Sequence, residues 1–332
     1  MRHKKAIVLV NTGSIESLNR HEYIAFMRRF LGDKNVVKLP FFVKLLLFYI
    51  IFPLRSNKIL KKYKEIFLDN KNPYFIYSDN LVKKSNTKSL NNFLNYDFYI
   101  AQLYTKPFVD DVLKKLLIED RLSLKDILFI PLYPQFCRAT TKASIDYIQD
   151  CLHKLLIDHK DDDIQYIQSY CYKDYYKKAI YLHYKDRIKT FDNDKTLFII
   201  TYHSMLKESI QSGDSYEKEC LYTTKLFKDT LNLKHVIHTY QSAAGKKSLW
   251  LGPHLDEEII KINQKGFKDV VTISPTFSID CLETLHEIAI EYKEMFLKSG
   301  GASFAYLHAL NDSNEHVDLI LDLAKEYFKN QD

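Results

Sequence analysis

Glycine is scarce in this sequence: eight residues of 332, where ~7% is usual. They stand at positions 13, 32, 213, 245, 252, 266, 300 and 301. No three of them fit the G-x-G-x-x-G loop of a dinucleotide-binding site, and none completes a Walker A loop. The sequence therefore argues against a protein that holds a dinucleotide or a nucleoside triphosphate on a glycine-rich turn.

Cysteine is also sparse, and its spacing fits neither a metal site nor a disulfide framework. The five cysteines are widely dispersed, at positions 137, 151, 171, 220 and 281. Their number is odd and no C-x-x-C pair occurs, so we expect reduced thiols and neither a disulfide framework nor a zinc or iron–sulfur site.

A strong charge imbalance is missing as well. The 48 Lys and Arg exceed the 42 Asp and Glu by only six, and the excess is spread along the chain. A nucleic-acid-binding protein normally concentrates basic residues on one face, so we expect no nucleic-acid partner. A mild basic excess suits an anionic small molecule or an anionic membrane surface.

Long apolar runs are absent too. Ala6–Val10 is too short for a signal-peptide core, and the strongest apolar segment, PFFVKLLLFYIIFP at 40–53, is interrupted by Lys44. A membrane span needs about 20 residues, so this segment does not cross a bilayer. Two interpretations stay open. It is either a buried helix or a partly exposed apolar lip that touches a membrane or holds an apolar ligand, and the nearby Lys38, Lys44 and Arg55 favour an interfacial position.

Short apolar runs alternate with amphipathic stretches, which predicts an α/β fold. The predicted strands lack polar alternation, as parallel strands covered on both faces do; they are Ala6–Val10, Phe98–Leu103, Ile127–Pro131, Leu197–Tyr202, Val236–Tyr240 and Val270–Ser274. The predicted helices have apolar residues at helical spacing; they are Arg20–Leu31, Asp110–Glu119, Lys142–Ile157, Ser215–Leu231 and Cys281–Leu297.

The two halves of the chain resemble each other. KDILFIPLY at 125–133 and KDVVTISPTF at 268–277 both place a buried strand after Lys-Asp and a proline and an aromatic residue after the strand. We therefore predict two similar lobes, 1–158 and 159–305, divided at the acidic stretch that begins at Asp158. Open α/β sheets bind ligands at the carboxyl ends of their strands, so functional residues are expected just after each strand.

His203 stands at the end of the predicted strand Leu197–Tyr202. An imidazole at that position can serve as a base or as a metal ligand near neutral pH. The alternative is a structural histidine held by hydrogen bonds, and position alone leaves both readings open.

An acidic row follows the last predicted strand. Glu283, Glu287 and Glu291 repeat at i, i+4 and i+8 of the helix expected there, so they share one face. Asp280 is the expected N-cap of this helix, with Glu283 as its capping-box partner. The row is either a solvated acidic face or a carboxylate track for a cation. Oxygen ligands joined by one histidine would suit a divalent ion such as Fe²⁺.

Short motifs follow one another in a characteristic order along nearly the whole chain. The first half has VLVNTG, FLGD at 30–33, PLRSNKILKKY at 53–63, and PLYPQF followed by ATTKAS at 131–144. The second half has His203 with G-D-x-Y, YQSAAG, WLGP, FSIDCLETLHEI at 277–288, GG and ALN. This ordered set resembles the ferrochelatase family, enzymes that insert ferrous iron into a porphyrin to make haem.

The resemblance implies two doubly wound, Rossmann-like α/β lobes with parallel sheets and a porphyrin cleft between them. Segment 306–332 would be a C-terminal helix that returns to the first lobe, and segment 40–53 would be an apolar lip of the cleft. His203 and Glu283 would be the catalytic and metal-binding pair in the second lobe. Glu287 and Glu291 would extend a metal or proton track, and Arg55 and Tyr63 would bind the porphyrin.

The expected reaction is insertion of Fe²⁺ into protoporphyrin IX with release of two protons, the last step of haem biosynthesis. Iron and porphyrin would be the substrates, with no organic cofactor and no iron–sulfur cluster. We expect a cytoplasmic protein with peripheral membrane contact. The alternative is a non-catalytic tetrapyrrole or metal-binding paralogue of the same fold. Insertion of another metal such as cobalt, coproporphyrin as the ring, and the oligomeric state stay open.

Overall fold

The computed structural model describes residues 4–37, 40–160 and 163–329. The chain divides into two compact units. The first contains the chain up to Tyr133, Cys137–Gln168 and the chain from Val317 onward, and the second contains Pro134–Phe136 and Ser169–His316.

The first unit is built around a four-stranded parallel sheet of order β2-β1-β3-β4. Residues 6–10 of the central strand β1 are completely buried, because strands covered on both faces are apolar throughout. The strands are β1 (Lys5–Asn11), β2 (Tyr96–Gln102), β3 (Ile127–Pro131) and β4 (Gln165–Tyr166). The helices are α1 (Arg20–Gly32), α2 (Phe41–Leu46), α3 (Phe52–Ile66), α4 (Pro73–Asn91), α5 (Val109–Leu113) and α6 (Ala143–Lys154).

The second unit repeats this arrangement with a parallel sheet of order β6-β5-β7-β8. The strands are β5 (Thr196–His203), β6 (His235–Gln241), β7 (Asp269–Ile273) and β8 (Ser303–Leu307). The helices are α7 (Asp174–Ile188), α8 (Lys207–Gln211), α9 (Tyr216–Leu231), α10 (Leu255–Ile259), α11 (Lys293–Lys298) and α12 (Asn314–Lys329), whose residues from Val317 belong to the first unit. In both sheets the first strand of the unit is central. The second strand pairs with it on one side, and the third and fourth strands follow on the other side.

All six predicted strands are present, and the predicted α/β class with two parallel sheets is confirmed. Two edge strands are additional: β4 has two residues, and β8 begins with an exposed serine. β4 is too short to give an apolar run, whereas β8 has the four-residue run FAYL at 304–307. Among the described residues, four stretches wind as π-helices: Leu47–Ile51, Lys114–Glu119, Arg138–Lys142 and Glu283–Tyr292.

The apolar segment 40–53 is helical but not buried, so the interpretation as a buried helix is wrong. Most of its large side chains before Phe52 are exposed or half-buried, with Phe41 at 76% and Phe42 at 72%, whereas Phe52 is buried at 7%. Basic side chains hold the segment in place: Arg28 bonds the Phe48 carbonyl oxygen at 3.2 Å and Lys44 bonds that of Gly32 at 3.0 Å. The segment is an exposed apolar lip of the first unit. No helix among the described residues has the length and hydropathy needed to span a membrane.

Candidate active site

His203 is the last residue of β5 and lies at the carboxyl edge of the second sheet, half-buried. Its Nδ1 lies 2.8 Å from the carbonyl oxygen of Ser204. A carbonyl oxygen only accepts hydrogen bonds, so Nδ1 bears the proton in the neutral ring and Nε2 has a free lone pair. The backbone thus selects the tautomer whose Nε2 can accept a proton or bind a cation.

Glu283 is joined to the same sheet edge through Gln241. Gln241 is the last residue of β6 and pairs with His203 in the strand register. The amide of this buried side chain donates from Nε2 to the Glu283 carbonyl oxygen at 3.0 Å, and its backbone oxygen accepts from the Ser204 N–H at 2.8 Å. The ends of β5 and β6 and the backbone of Glu283 therefore form one hydrogen-bonded assembly.

Glu287 is held by two hydroxyl groups. Ser242 donates to its Oε2 at 2.6 Å and Tyr292 to its Oε1 at 2.8 Å. Ser242 has a left-handed backbone with φ of 64°, and such strained residues concentrate at functional sites. The alternative of a solvated acidic face is wrong for Glu287, because its carboxylate is enclosed and bonded.

The groups around Glu287 shift the pKa of its carboxyl in both directions. Burial raises its pKa; the hydroxyls of Ser242 and Tyr292 oppose that rise, the charge of Glu283 adds to it, and His203 lowers it. Gln241 pairs with His203 and bonds Glu283, and the next residue, Ser242, bonds Glu287. These contacts bring the three predicted residues together beside the ends of β5 and β6.

Glu291 completes the predicted row on the π-helical segment Glu283–Tyr292. Its side chain is 41% exposed, and its Oε2 lies 3.8 Å from Nδ1 of the buried His286. A spacing of four residues lies between the turn of an α-helix, about 3.6 residues, and the wider turn of a π-helix. The three glutamates therefore stay near one face although the winding differs from the predicted α-helix, and π-helical turns often occur at functional sites.

The predicted N-cap role of Asp280 is wrong. Its carboxylate is fully buried and accepts from Tyr306 at 2.6 Å, Asn311 at 2.8 Å and His308 Nδ1 at 2.9 Å. The Cys281 N–H donates instead to the hydroxyl of Thr284 at 3.0 Å. The hydrogen-bond partners of the Asp280 carboxylate therefore come from β8 and the residues after it, and not from the helix that follows Asp280. Burial alone would raise the pKa of Asp280, but these hydrogen bonds, led by that of His308, hold it below its ordinary value.

The Asp280–His308 pair predicts a pH-dependent contribution to stability. The hydrogen bond to Asp280 raises the pKa of His308, so this stabilisation is fully present below the ordinary histidine pKa and is lost as pH rises through the raised one. Because the pKa of Asp280 is lowered, its carboxylate stays charged and the stabilisation persists down to acidic pH. Because His308 is half-exposed, we expect His308→Gln to cost about 1 kcal/mol more at pH 5.5 than at pH 9. Urea unfolding at both pH values measures this, and an equal cost at both would contradict it.

Arg55 and Tyr63 belong to the first unit, on α3. Arg55 is exposed, whereas Tyr63 is buried with its hydroxyl 3.3 Å from that of Ser14. Ser14 also accepts from the Asn72 side chain at 2.9 Å. Tyr63 therefore braces the loop after β1, and a porphyrin contact by either residue stays a prediction.

Within the described parts of the chain, no group of three or more His, Cys, Asp or Glu side chains is arranged to hold a metal ion. The metal-binding role of His203 and Glu283 therefore stays a prediction.

Comparison with known proteins decides the family. The ferrochelatase family model matches residues 4–327. The chain is a ferrochelatase family member. Proteins named ferrochelatase from Francisella tularensis subsp. tularensis strain SCHU S4 and subsp. novicida strain U112 are 32% and 33% identical to it, over 98% of this chain and 96% of each relative.

Solved structures agree with a chelatase fold. SirB from Bacillus subtilis, in a structure with Fe³⁺, aligns with a TM-score of 0.54 and 11% identity over 99% of this chain and 98% of that one. A multi-domain Deinococcus radiodurans protein described as structurally similar to chelatases aligns with a TM-score of 0.53 and 8% identity. That match covers 97% of this chain but only 55% of the longer one. At such identities the likeness concerns the fold.

Sequence reasoning missed several residues that shape this ferrochelatase-family site. Gln241 and Ser242 directly follow the predicted strand Val236–Tyr240, yet neither is among the predicted site residues. Position at a strand end was the usable signal for the first two. Tyr292 lies at an apolar position of the predicted helix Cys281–Leu297, and only the three-dimensional structure shows that its hydroxyl reaches Glu287.

Proposed function

We propose that this protein inserts Fe²⁺ into protoporphyrin IX and releases two protons, forming protohaem in the last step of haem biosynthesis. Family membership supports the activity. The observation that most strongly supports a catalytic role for His203 is the hydrogen bond from its Nδ1 to the Ser204 carbonyl oxygen. This bond leaves a basic Nε2 in the same site as Glu283 and Glu287.

The free porphyrin has two pyrrole N–H groups and two bare nitrogens in a flat ring. Distorting the ring exposes the nitrogen lone pairs, and binding energy elsewhere on the ring can supply the strain. His203 Nε2 then accepts a pyrrole proton or presents Fe²⁺ to the ring. Glu283 assists it, and Glu287 and Glu291 conduct protons out or iron in. Two protons leave as one Fe²⁺ enters, so charge balances.

The proposed reaction transfers no electron, so it requires neither an organic cofactor nor an iron–sulfur cluster. Fe²⁺ is a substrate. On the porphyrin side, Arg55 is exposed and its guanidinium suits a propionate carboxylate. We assign Tyr63 to the same binding surface through the loop that it braces at Ser14.

Anaerobic assay of the purified protein tests this function. With Fe²⁺ and protoporphyrin IX, we expect growth of the haem Soret band far above the uncatalysed rate. Porphyrin binding, followed by fluorescence quenching, distinguishes the alternative, since a carrier would bind the ring without forming haem. Parallel assays with coproporphyrin and with Co²⁺ identify the preferred substrates.

We also propose that the protein is cytoplasmic and that the apolar lip makes peripheral contact with a membrane. The exposed lip residues share a large apolar side chain; they are Phe41, Phe42, Leu45, Leu46, Tyr49 and Ile50, and the exposed Leu54 follows directly after the lip. Basic groups lie beside them: Arg28 stacks on Tyr49 at 4.7 Å, and Arg20 bonds the Pro53 carbonyl oxygen at 3.0 Å. Apolar side chains flanked by cations are typical of an interfacial membrane contact.

The double variant Phe41→Ser/Phe42→Ser should weaken membrane binding at least tenfold, because each phenylalanine contributes about 1.5–3 kcal/mol when fully buried. Flotation with vesicles of equal parts phosphatidylglycerol and phosphatidylcholine measures the loss. Phe93→Ser is the matched control, since Phe93 is 90% exposed outside the lip. Unchanged flotation of the double variant, or an equal loss in the control, would contradict the proposal.

A further inference from the structure

Tyr216 connects the two parts of the chain that carry the proposed catalytic pair. Its ring is buried, and its hydroxyl donates to the backbone carbonyl oxygen of His203 at 2.9 Å. The Tyr216 hydroxyl oxygen also lies 3.0 Å from the hydroxyl oxygen of Thr276. The single phenol proton goes to the carbonyl, which only accepts, so the Thr276 hydroxyl donates to Tyr216. The result is a directed chain from Thr276 through Tyr216 to His203.

The beginning of α9 fixes the position of this phenol. Gly213 has φ of +92°, a left-handed turn that glycine adopts readily. Asp214 then accepts from the Tyr216 N–H at 3.1 Å and from the Ser209 hydroxyl at 3.0 Å. Ser215 bonds the buried Glu219 one turn further on, at 2.7 Å. The G-D-x-Y motif thus anchors Tyr216 at the first turn of a sixteen-residue helix.

The two ends of the chain of hydroxyls lead to different catalytic groups. His203 ends β5, while Thr276 lies in the loop that runs from β7 to Glu283. A second connection, from the Gln241 side chain to the Glu283 backbone, joins the same parts on the β6 side. Tyr216 and Gln241 therefore set the spacing of the imidazole and the carboxylate by holding their backbones.

We propose that Tyr216 is a positioning residue for iron insertion, which fixes the His203 imidazole relative to the Glu283 segment. This inference rests on the proposed function. It does not place Tyr216 in contact with iron or porphyrin. Misplacement of a reacting group by about 1 Å can cost ~100-fold in rate, so the effect should fall on turnover and not on porphyrin binding.

Tyr216→Phe removes only the hydroxyl and should lower kcat for iron insertion about 10- to 100-fold. The KM for porphyrin should change less than twofold. Thr276→Val removes the second hydroxyl and should cause a smaller loss of kcat, about three- to tenfold. Tyr202→Phe is the matched control: Tyr202 is fully buried in the same unit and its hydroxyl meets Thr224 on α9 at 3.0 Å. The control should keep kcat within twofold of the wild type.

An NMR measurement separates this inference from the proposed function. Histidine labelled in its ring nitrogens gives a His203 signal, assigned by its loss in His203→Ala. The signal should shift or broaden in Tyr216→Phe and stay unchanged in Tyr202→Phe, whether or not the wild type inserts iron. An unchanged His203 signal in Tyr216→Phe would overturn the inference, as would equal losses of kcat in both phenylalanine variants. A wild type that inserts no iron would overturn the proposed function alone.

Discussion

His203→Ala should reduce iron insertion at least ~100-fold while leaving the protein folded. The lower bound is the usual contribution of one general acid–base group, and a lost metal ligand would add to it. Within the described part of the chain, the ring makes one hydrogen bond, to the neighbouring Ser204 carbonyl, so its removal should have little effect on the core. Initial rates of Soret growth under anaerobic conditions measure the loss, with circular dichroism as the check on folding.

His235→Ala is the control for this variant. His235 is the first residue of β6 and pairs with Leu197. It therefore lies at the amino ends of the strands, whereas His203 lies at their carboxyl ends. It should retain the wild-type rate. If His203→Ala stays within threefold of the wild type, His203 is a structural histidine and the proposed mechanism is wrong.

Glu283→Gln should be the second most damaging substitution, with a loss of about 100-fold. It removes the charge that assists His203 while keeping the shape of the side chain. Gln241 bonds the backbone oxygen of Glu283 and not its carboxylate, so the segment should keep its place. The loss should therefore appear in kcat, measured in the same assay, with porphyrin binding unchanged.

Glu294→Gln is the matched control because Glu294 lies on α11, exposed and paired with Lys298 at 2.9 Å. An exposed pair of this kind contributes little, so activity should be unchanged. Comparable losses in both glutamine variants would show that a general change in charge, and not the Glu283 carboxylate, reduces the rate.

The central strands and the position of His203 were predictable because they depend on local patterns. Each central strand is rich in buried apolar residues, and a polar residue directly after such a strand lies at the carboxyl ends of the strands, where ligands bind. Glu287 is different. The sequence places it in an acidic row, but only the fold reveals that Ser242, 45 residues earlier, bonds it.

The errors come from long-range contacts and from backbone winding. The sequence predicts that Asp280 caps a helix. In the structure its carboxylate instead accepts hydrogen bonds from Tyr306, His308 and Asn311, which lie 26 to 31 residues further along the chain. The π-helical winding of Glu283–Tyr292 is a matter of backbone hydrogen bonding, which the periodicity of side chains does not distinguish from an α-helix. The lip at 40–53 has the composition of a core helix, and its exposure depends on what packs around it.

The most direct test of the account asks whether His203 and Glu283 act on one step. It compares the insertion rates of His203→Ala, Glu283→Gln and the double variant, each after subtraction of the uncatalysed rate. Residues that act as a unit are strongly non-additive, so the double variant should be within about threefold of the slower single variant. A loss in the double variant equal to the product of the two single losses would show that the two residues work independently and would contradict the account.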